Sequence, residues 1–137
     1  MKRLILAAGL FAATLSTSLH AQTMNMRASI PFDFRIGNTA FPSGEYSIRH
    51  SDGVLFVKQT TGKGKGGFFI TVGEDRPKAS TSTGTLQFSR YGDSYYLSKV
   101  WTPESQVARA TLKTPREREL ASHLGMPGTA AVSLRKQ

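Results

Sequence analysis

Residues 27–36 read RASIPFDFRI, and apolar and non-apolar side chains alternate through them without a slip. Ala28, Ile30, Phe32, Phe34 and Ile36 share one parity, and Arg27, Ser29, Pro31, Asp33 and Arg35 share the other. A period of two with one apolar face is the pattern of a β-strand lying half on a core, because successive side chains leave a strand on opposite faces. Asp33 then points away from Phe32 and Phe34 toward water, and reads as part of a solvated face rather than as a catalytic acid. Pro31 has no N–H to give to a ladder, which predicts a strand at a sheet edge or one carrying a bulge.

Outward from this stretch the chain is a run of short strand candidates separated by turn signals. That pattern predicts an all-β fold, a small antiparallel sandwich or barrel. In GNTAFPSGEYSIRH (37–50), FPSG is a turn, and Tyr46 and Ile48 alternate with Ser47 and Arg49. Asp52-Gly53 suits a two-residue hairpin turn. VLFVKQ (54–59) and FFITV (68–72) are rich in β-branched and aromatic residues, which fit a pleated surface better than a helix. RPKASTSTGT (76–85) reads as a long surface loop. TLQFSRYGDSYYLSKVW (85–101) reads as a hairpin around Gly92-Asp93, with Leu86 and Phe88 on one face of the first arm and Tyr95, Leu97 and Trp101 on one face of the second.

One α-helix is expected in the C-terminal region, over about 115–124. In TPRERELASHLG (114–125), Thr114 is the N-cap, Pro115 occupies the first helical position and Glu117 completes a capping box. Glu117 and Glu119 sit where the helix dipole favours negative charge. Leu120 and Leu124 offer a narrow apolar stripe for docking on a sheet, and Gly125 and Pro127 stop the helix. Residues 129–137 read as a last strand over Ala130–Leu134, with a frayed tail as the alternative.

The N-terminus reads MKRLILAAGLFAATLSTSLHAQ: a positive segment at Lys2 and Arg3, an apolar run from Leu4 to Leu15, then polar residues leading to Ala21. This is the pattern of a signal peptide over 1–21, cleaved after Ala21, and the apolar run is too short to span a bilayer. Export to the periplasm or the extracellular space is therefore expected, followed by a single domain over 22–137 with no transmembrane segment. The chain contains no cysteine, so no disulfide or lipidated cysteine supports it.

IPFDFRIGNTAFPSGEYSI (30–48), with RYGDSYYLSKVW (90–101) further on and REREL (116–120) in the helix, resembles a family of small exported bacterial proteins of unknown function. Its members share a signal peptide, a PFDF strand, a P-[AS]-G-x-Y turn and strand, and an acid- and base-rich helix. The resemblance runs from about Met26 to about Leu124 and implies a stand-alone exported domain. It brings no activity, cofactor or catalytic residue with it.

Several chemistries are poorly provided for. GKGKGG (62–67) matches a dinucleotide-binding glycine pattern through Gly62, Gly64 and Gly67. That mechanism needs a helix to follow, so that its N-terminal N–H groups meet the phosphates, and FFITV reads as a strand. The segment is a hairpin loop, in which Lys63 and Lys65 are candidate anion contacts. Past residue 21 only His50 and His123 remain, not at ligand spacing with a third donor, so no metal or cofactor is expected. His50 reads as a turn or surface residue, and His123 as a dipole partner at the helix C-terminus. There is no cysteine nucleophile and no G-x-S-x-G elbow. Distant carboxylates such as Asp33 and Asp93 leave a small hydrolase acting on envelope carbohydrate as the alternative reading.

The formal net charge is +9, of which Lys2 and Arg3 contribute two, and the excess is spread along the chain. A nucleic-acid binder concentrates such charge on one face, and export argues against a genomic role. Loose attraction to an envelope polyanion fits better. Phe32, Phe34, Phe56, Phe68, Phe69, Phe88 and Trp101 are expected in the core. Tyr91, Tyr95 and Tyr96 beside the Gly92-Asp93 turn are candidate contacts for a carbohydrate or another envelope protein, with core packing as the plainer reading. The expectation is a non-catalytic binding, adaptor or structural module of the envelope.

Overall fold

In the computed structural model the alternation of RASIPFDFRI holds residue by residue, but the strand breaks in two. The structure describes residues 24–62, 64–75, 84–102 and 107–136; the expected signal peptide, Lys63 and most of the 76–85 loop lie outside them. Ala28, Ile30, Phe34 and Ile36 are buried and Phe32 half-buried, while Arg27, Ser29, Pro31 and Asp33 are exposed. The first half is β1 (Met24–Ile30) and the second β2 (Phe34–Ile36). Pro31 neither puts β1 at an edge nor bulges it. It ends the strand, where its missing N–H matters least, and the chain crosses to a different part of the sheet. Asp33 fixes the crossing: its Oδ1 accepts the Ser43 N–H at 2.8 Å.

After β2 come β3 (Thr39–Phe41), β4 (Gly44–Ser51), β5 (Val54–Gln59), β6 (Gly66–Asp75), β7 (Gly84–Tyr91), β8 (Ser94–Trp101), β9 (Val107–Thr111), helix α1 (Pro115–Leu124) and β10 (Gly128–Lys136). Eight of these strands close an antiparallel barrel in the order β1-β4-β5-β6-β9-β8-β7-β10 and back to β1. The β2–β3 hairpin is an addition, set parallel to β8 through Arg35 and Tyr96. The last stretch of chain is thus a strand, not a tail, and it joins the N-terminal strand to β7.

The turns form where the sequence places them. Ser51 pairs with Val54 across Asp52 and Gly53, whose φ angles of 50° and 80° are those of a type I′ turn. Tyr91 pairs with Ser94 across Gly92-Asp93, with Gly92 at φ 60°. Of GKGKGG, Gly62, Gly64 and Lys65 lie between β5 and β6, and Gly66 and Gly67 already belong to β6. Gly67 leaves room for a ring there: a Cβ would lie 2.9 Å from Phe69 Cζ, so that ring would have to shift.

A barrel this narrow is filled by its own side chains. Met26, Ile48, Leu55, Leu86, Val100 and Leu134 are buried in it. Phe34 extends this core with its ring 5.3 Å from Phe41, 5.2 Å from Tyr46 and 5.5 Å from Phe88. Each ring so enclosed stabilises the fold by about 1.5–3 kcal/mol. Tyr46 is fully enclosed, and its hydroxyl donates to the carbonyl of Pro42, four residues back. That bond ties FPSGEY to itself much as a tyrosine corner does. Burial, then the charge of Asp33, pushes the phenol up to about 12.

Three expectations about faces are corrected. Consecutive residues on a strand cannot both face inward: Phe69 packs on the core while Phe68 is 75 % exposed, and Phe56, opposite Phe68, also faces out and is only half-buried. In β8, Phe88 pairs with Leu97 but Gln87 with Lys99, so Ser98 is an extra residue; its hydroxyl donates to the Gln87 carbonyl at 2.9 Å. That bulge flips the parity, and Val100 rather than Trp101 continues the inward face. On α1 the Thr114 and Gly125 caps form as expected, Thr114 Oγ1 accepting the Glu117 N–H at 3.2 Å. The buried residue of the helix, however, is Glu117, 4 % exposed, while Leu124 is 57 % exposed. The helix packs against β7.

Candidate functional site

The outward residues of β4, β5 and β6 make an unusual wall. Cross-strand register lines up Asn25, Arg49, Phe56 and Phe68 in one row over four strands. Val54 and Ile70 face each other in the next row, and Ser47 and Lys58 in the one on the other side. Ile70 is 67 % exposed, and Val72 continues the apolar stripe along β6. Arg49 lies over the Phe56 ring, 4.6 Å from Cζ to centroid, a cation–π contact that holds the guanidinium on the apolar surface.

Phe68 stands between two grooves. The first, of about 570 Å³, is lined by Arg49, Phe56, Lys58 and Phe68 among others; the second, of about 480 Å³, runs past Phe68, Ile70, Leu112 and Lys113. Among the described residues no carboxylate lines either groove. Among the described residues neither Arg49 nor Lys58 is in an ion pair, whereas Glu45 of β4 is taken up by Ser29 and Arg135. Chemically the wall offers flat apolar contact beside uncompensated positive charge.

The residues singled out by sequence fall in two places. Lys65 and Tyr95 share a third groove, of about 400 Å³, with Asp33 and Asp93. Tyr95 stacks on Phe32, ring centroids 3.9 Å apart, and the Lys65 ammonium lies 5.6 Å from the Phe41 ring centroid. Tyr91 and Tyr96 are buried, packed edge to face at 5.8 Å, so Tyr95 is the ring of the three with solvent access. Burial and the nearby Glu117 carboxylate raise the Tyr91 pKa; burial raises that of Glu117 as well, with Lys113 opposing. Lys63 lies outside the described residues.

His50 is not a turn residue. It ends half-buried in β4, where its Nε2 accepts from Arg109 Nε of β9 at 3.2 Å and lies 3.4 Å from the Thr71 hydroxyl of β6. The Thr71 hydroxyl donates to the Gly53 carbonyl at 2.9 Å. Burial, then Arg109, lowers the His50 pKa, with Asp52 opposing. With Arg109 donating to Nε2, the neutral ring carries its proton on Nδ1. His123 is exposed near the end of α1, 3.9 Å from Glu119. Among the described residues no three histidines or carboxylates gather as a metal would require, and no helix is long and apolar enough to cross a membrane.

The exposed wall was hidden from sequence reasoning because FFITV gives no sign of which phenylalanine faces in. The available signal was the pair itself: two adjacent aromatics in a strand leave one outside. Comparison of the chain with family models, with curated proteins and with solved structures finds no match.

Proposed function

We propose that the protein is an exported, non-catalytic binding module of the cell envelope or extracellular space, and that the wall centred on Phe68 is its contact surface. The observation that carries this reading is the row Arg49–Phe56–Phe68, with Ile70 and Lys58 beside it and, among the described residues, no acid lining the grooves. An apolar patch rimmed by charge is the surface of a domain that meets a partner. The charge selects one that is anionic and in part apolar. The signal-peptide pattern of residues 1–21, and the likeness of residues 30–48 to exported domains, support the location.

The test is retention on two anionic probes, immobilised dextran sulfate and phosphatidylglycerol vesicles, at low and high salt. Retention that Phe68→Ser and the pair Arg49→Ala with Lys58→Ala each weaken by roughly tenfold supports the wall, since a fully engaged aromatic contributes that much. Retention untouched by these changes, or none on any anionic probe or acidic peptide, overturns it.

A second reading has one observation in its favour: Asp33 and Asp93 line the same groove with Lys65 and Tyr95. A small hydrolase acting on envelope carbohydrate would need both acids free to react. Asp33 already accepts the Ser43 N–H, which is the role of a structural carboxylate and favours the binding reading. Hydrolysis of a chromogenic glycoside that Asp93→Asn abolishes would reverse that preference.

A further inference from the structure

The barrel is closed around β6 by two different partners. Gly66–Ile70 pair with β5, and Thr71–Asp75 pair with β9. On the β9 side, Gly66–Ile70 have no ladder partner among the described residues; the ladder with β9 ends at Thr111, and residues 112–114 run past the same groove into α1. Strand alternation says which backbone groups this exposes. The Thr71 N–H donates to the Gly53 carbonyl, on the β5 side, at 2.8 Å. Phe69 and Gly67 share that direction, so Phe68 and Ile70 aim their N–H and C=O groups at the other edge. That edge opens on the groove bounded by Leu112 and Lys113, with Ile36 and Asn38 of the β2–β3 hairpin on its far side.

Natural edges are guarded by proline, by inward-pointing charge or by a covering element. This one carries exposed Phe68 and Ile70 instead. Positive charge lies around it, at Lys113 in this groove and at Arg49 and Lys58 in the groove beyond Phe68, with no carboxylate of the described residues lining either. A second copy of the chain would bring the same cations to face these, which opposes self-pairing. An extended segment with acidic flanks is complementary in both charge and backbone.

We propose that β6 receives an acidic, extended peptide strand of a partner protein, which adds to the free Phe68–Ile70 edge, lays alternate apolar side chains against Phe68, Ile70 and Leu112, and meets Lys113, Arg49 and Lys58 with its carboxylates. Resting on the binding reading above, the inference narrows it: the ladder hydrogen bonds give affinity and the flanking charges give direction.

The experiment measures binding of the protein to a panel of short synthetic peptides that alternate valine, isoleucine or phenylalanine with threonine and end in two glutamates. Binding should be lost when the peptide amides facing β6 are N-methylated, and weakened when lysines replace the glutamates. Ile70→Pro removes one donor from the free edge without touching the β5 ladder, and Phe69 before it is already extended, as proline prefers. It should weaken binding roughly fivefold to tenfold, as loss of one backbone hydrogen bond does. Ile70→Thr keeps the donor and should weaken it less. The N-methyl comparison uses the unaltered protein, so it decides the matter even where Ile70→Pro fails to fold. Binding indifferent to N-methylation overturns strand addition. Capture by phosphatidylglycerol vesicles or dextran sulfate with no peptide bound overturns it while leaving the anion-binding wall in place. Absence of both removes the two together, and self-association abolished by Phe68→Ser, with no peptide bound, assigns the edge to a second copy instead.

Discussion

Phe34 and Phe68 are both strand phenylalanines, and they mark two regions built on opposite terms. Around Phe34, the rings of Phe41, Tyr46 and Phe88 close on one another, and a hydroxyl and a carboxylate tie the adjoining turn: Tyr46 to Pro42, Asp33 to Ser43. Both of these polar side chains are paired within the chain. Around Phe68, rings of the same kind lie open beside Arg49 and Lys58, which form no ion pair among the described residues. The first region is explained by stability alone. The second leaves apolar surface in water in the isolated chain, which the contact surface proposed above would account for.

The sharpest way to break this contrast is to empty the closed region. Phe34→Ala should cost roughly 3–5 kcal/mol, as large-to-small changes among enclosed rings do. Urea unfolding measures it, and a loss near zero would mean that the cluster is not a core. Gly67→Ala comes next. Its backbone is not in the left-handed region, so the added methyl acts by collision alone, with Phe69 Cζ 2.9 Å away. Overpacking of this kind costs about 1–3 kcal/mol, and the same unfolding experiment reads it.

The closed region was largely legible in the sequence, and the open one was not. Period two over 28–36, the Asp52-Gly53 and Gly92-Asp93 turns and the Thr114 and Gly125 caps are local: each depends on residues within a few positions, and each formed. What escaped is set by contacts far apart in the chain. β10 becomes the strand that joins β1 to β7, and His50 finds Arg109 fifty-nine residues away. Ser98 adds one residue to β8 and thereby moves Trp101 off the face that periodicity gave it. Glu117 docks where Leu124 was expected, because the helix's angle on β7 follows from the sheet beneath it. Alternation tells which residues share a face, never which face is the inside.

His50 joins the two halves of the comparison, since Thr71 beside it is where β6 passes from its β5 pairing to its β9 pairing. Its folded pKa is lowered from 6.5, so between that lowered value and 6.5 the unfolded chain binds more protons than the native one. Stability is therefore unaffected above the ordinary histidine value and is lost as the pH falls through it. Thermal unfolding followed from neutral to mildly acid pH should show this loss, and His50→Gln, which keeps an acceptor for Arg109, should flatten it. An identical pH profile in the variant would remove His50 from the account.

The smallest effect is the most telling. Phe68→Thr keeps a residue suited to a strand, and the ring it removes is three-quarters exposed. Its loss gives up a cross-strand contact with Phe56 and also relieves the folded protein of apolar surface in water, so the net change in stability should stay within about 0.5 kcal/mol, as for surface positions generally. Urea unfolding of the isolated protein checks it. A cost like that of Phe34→Ala would make Phe68 one more core ring, with nothing left over for a partner to explain. A neutral result, joined to weakened binding, separates the two regions by the criterion that matters: one set of rings holds the barrel together, and the other is kept for contact.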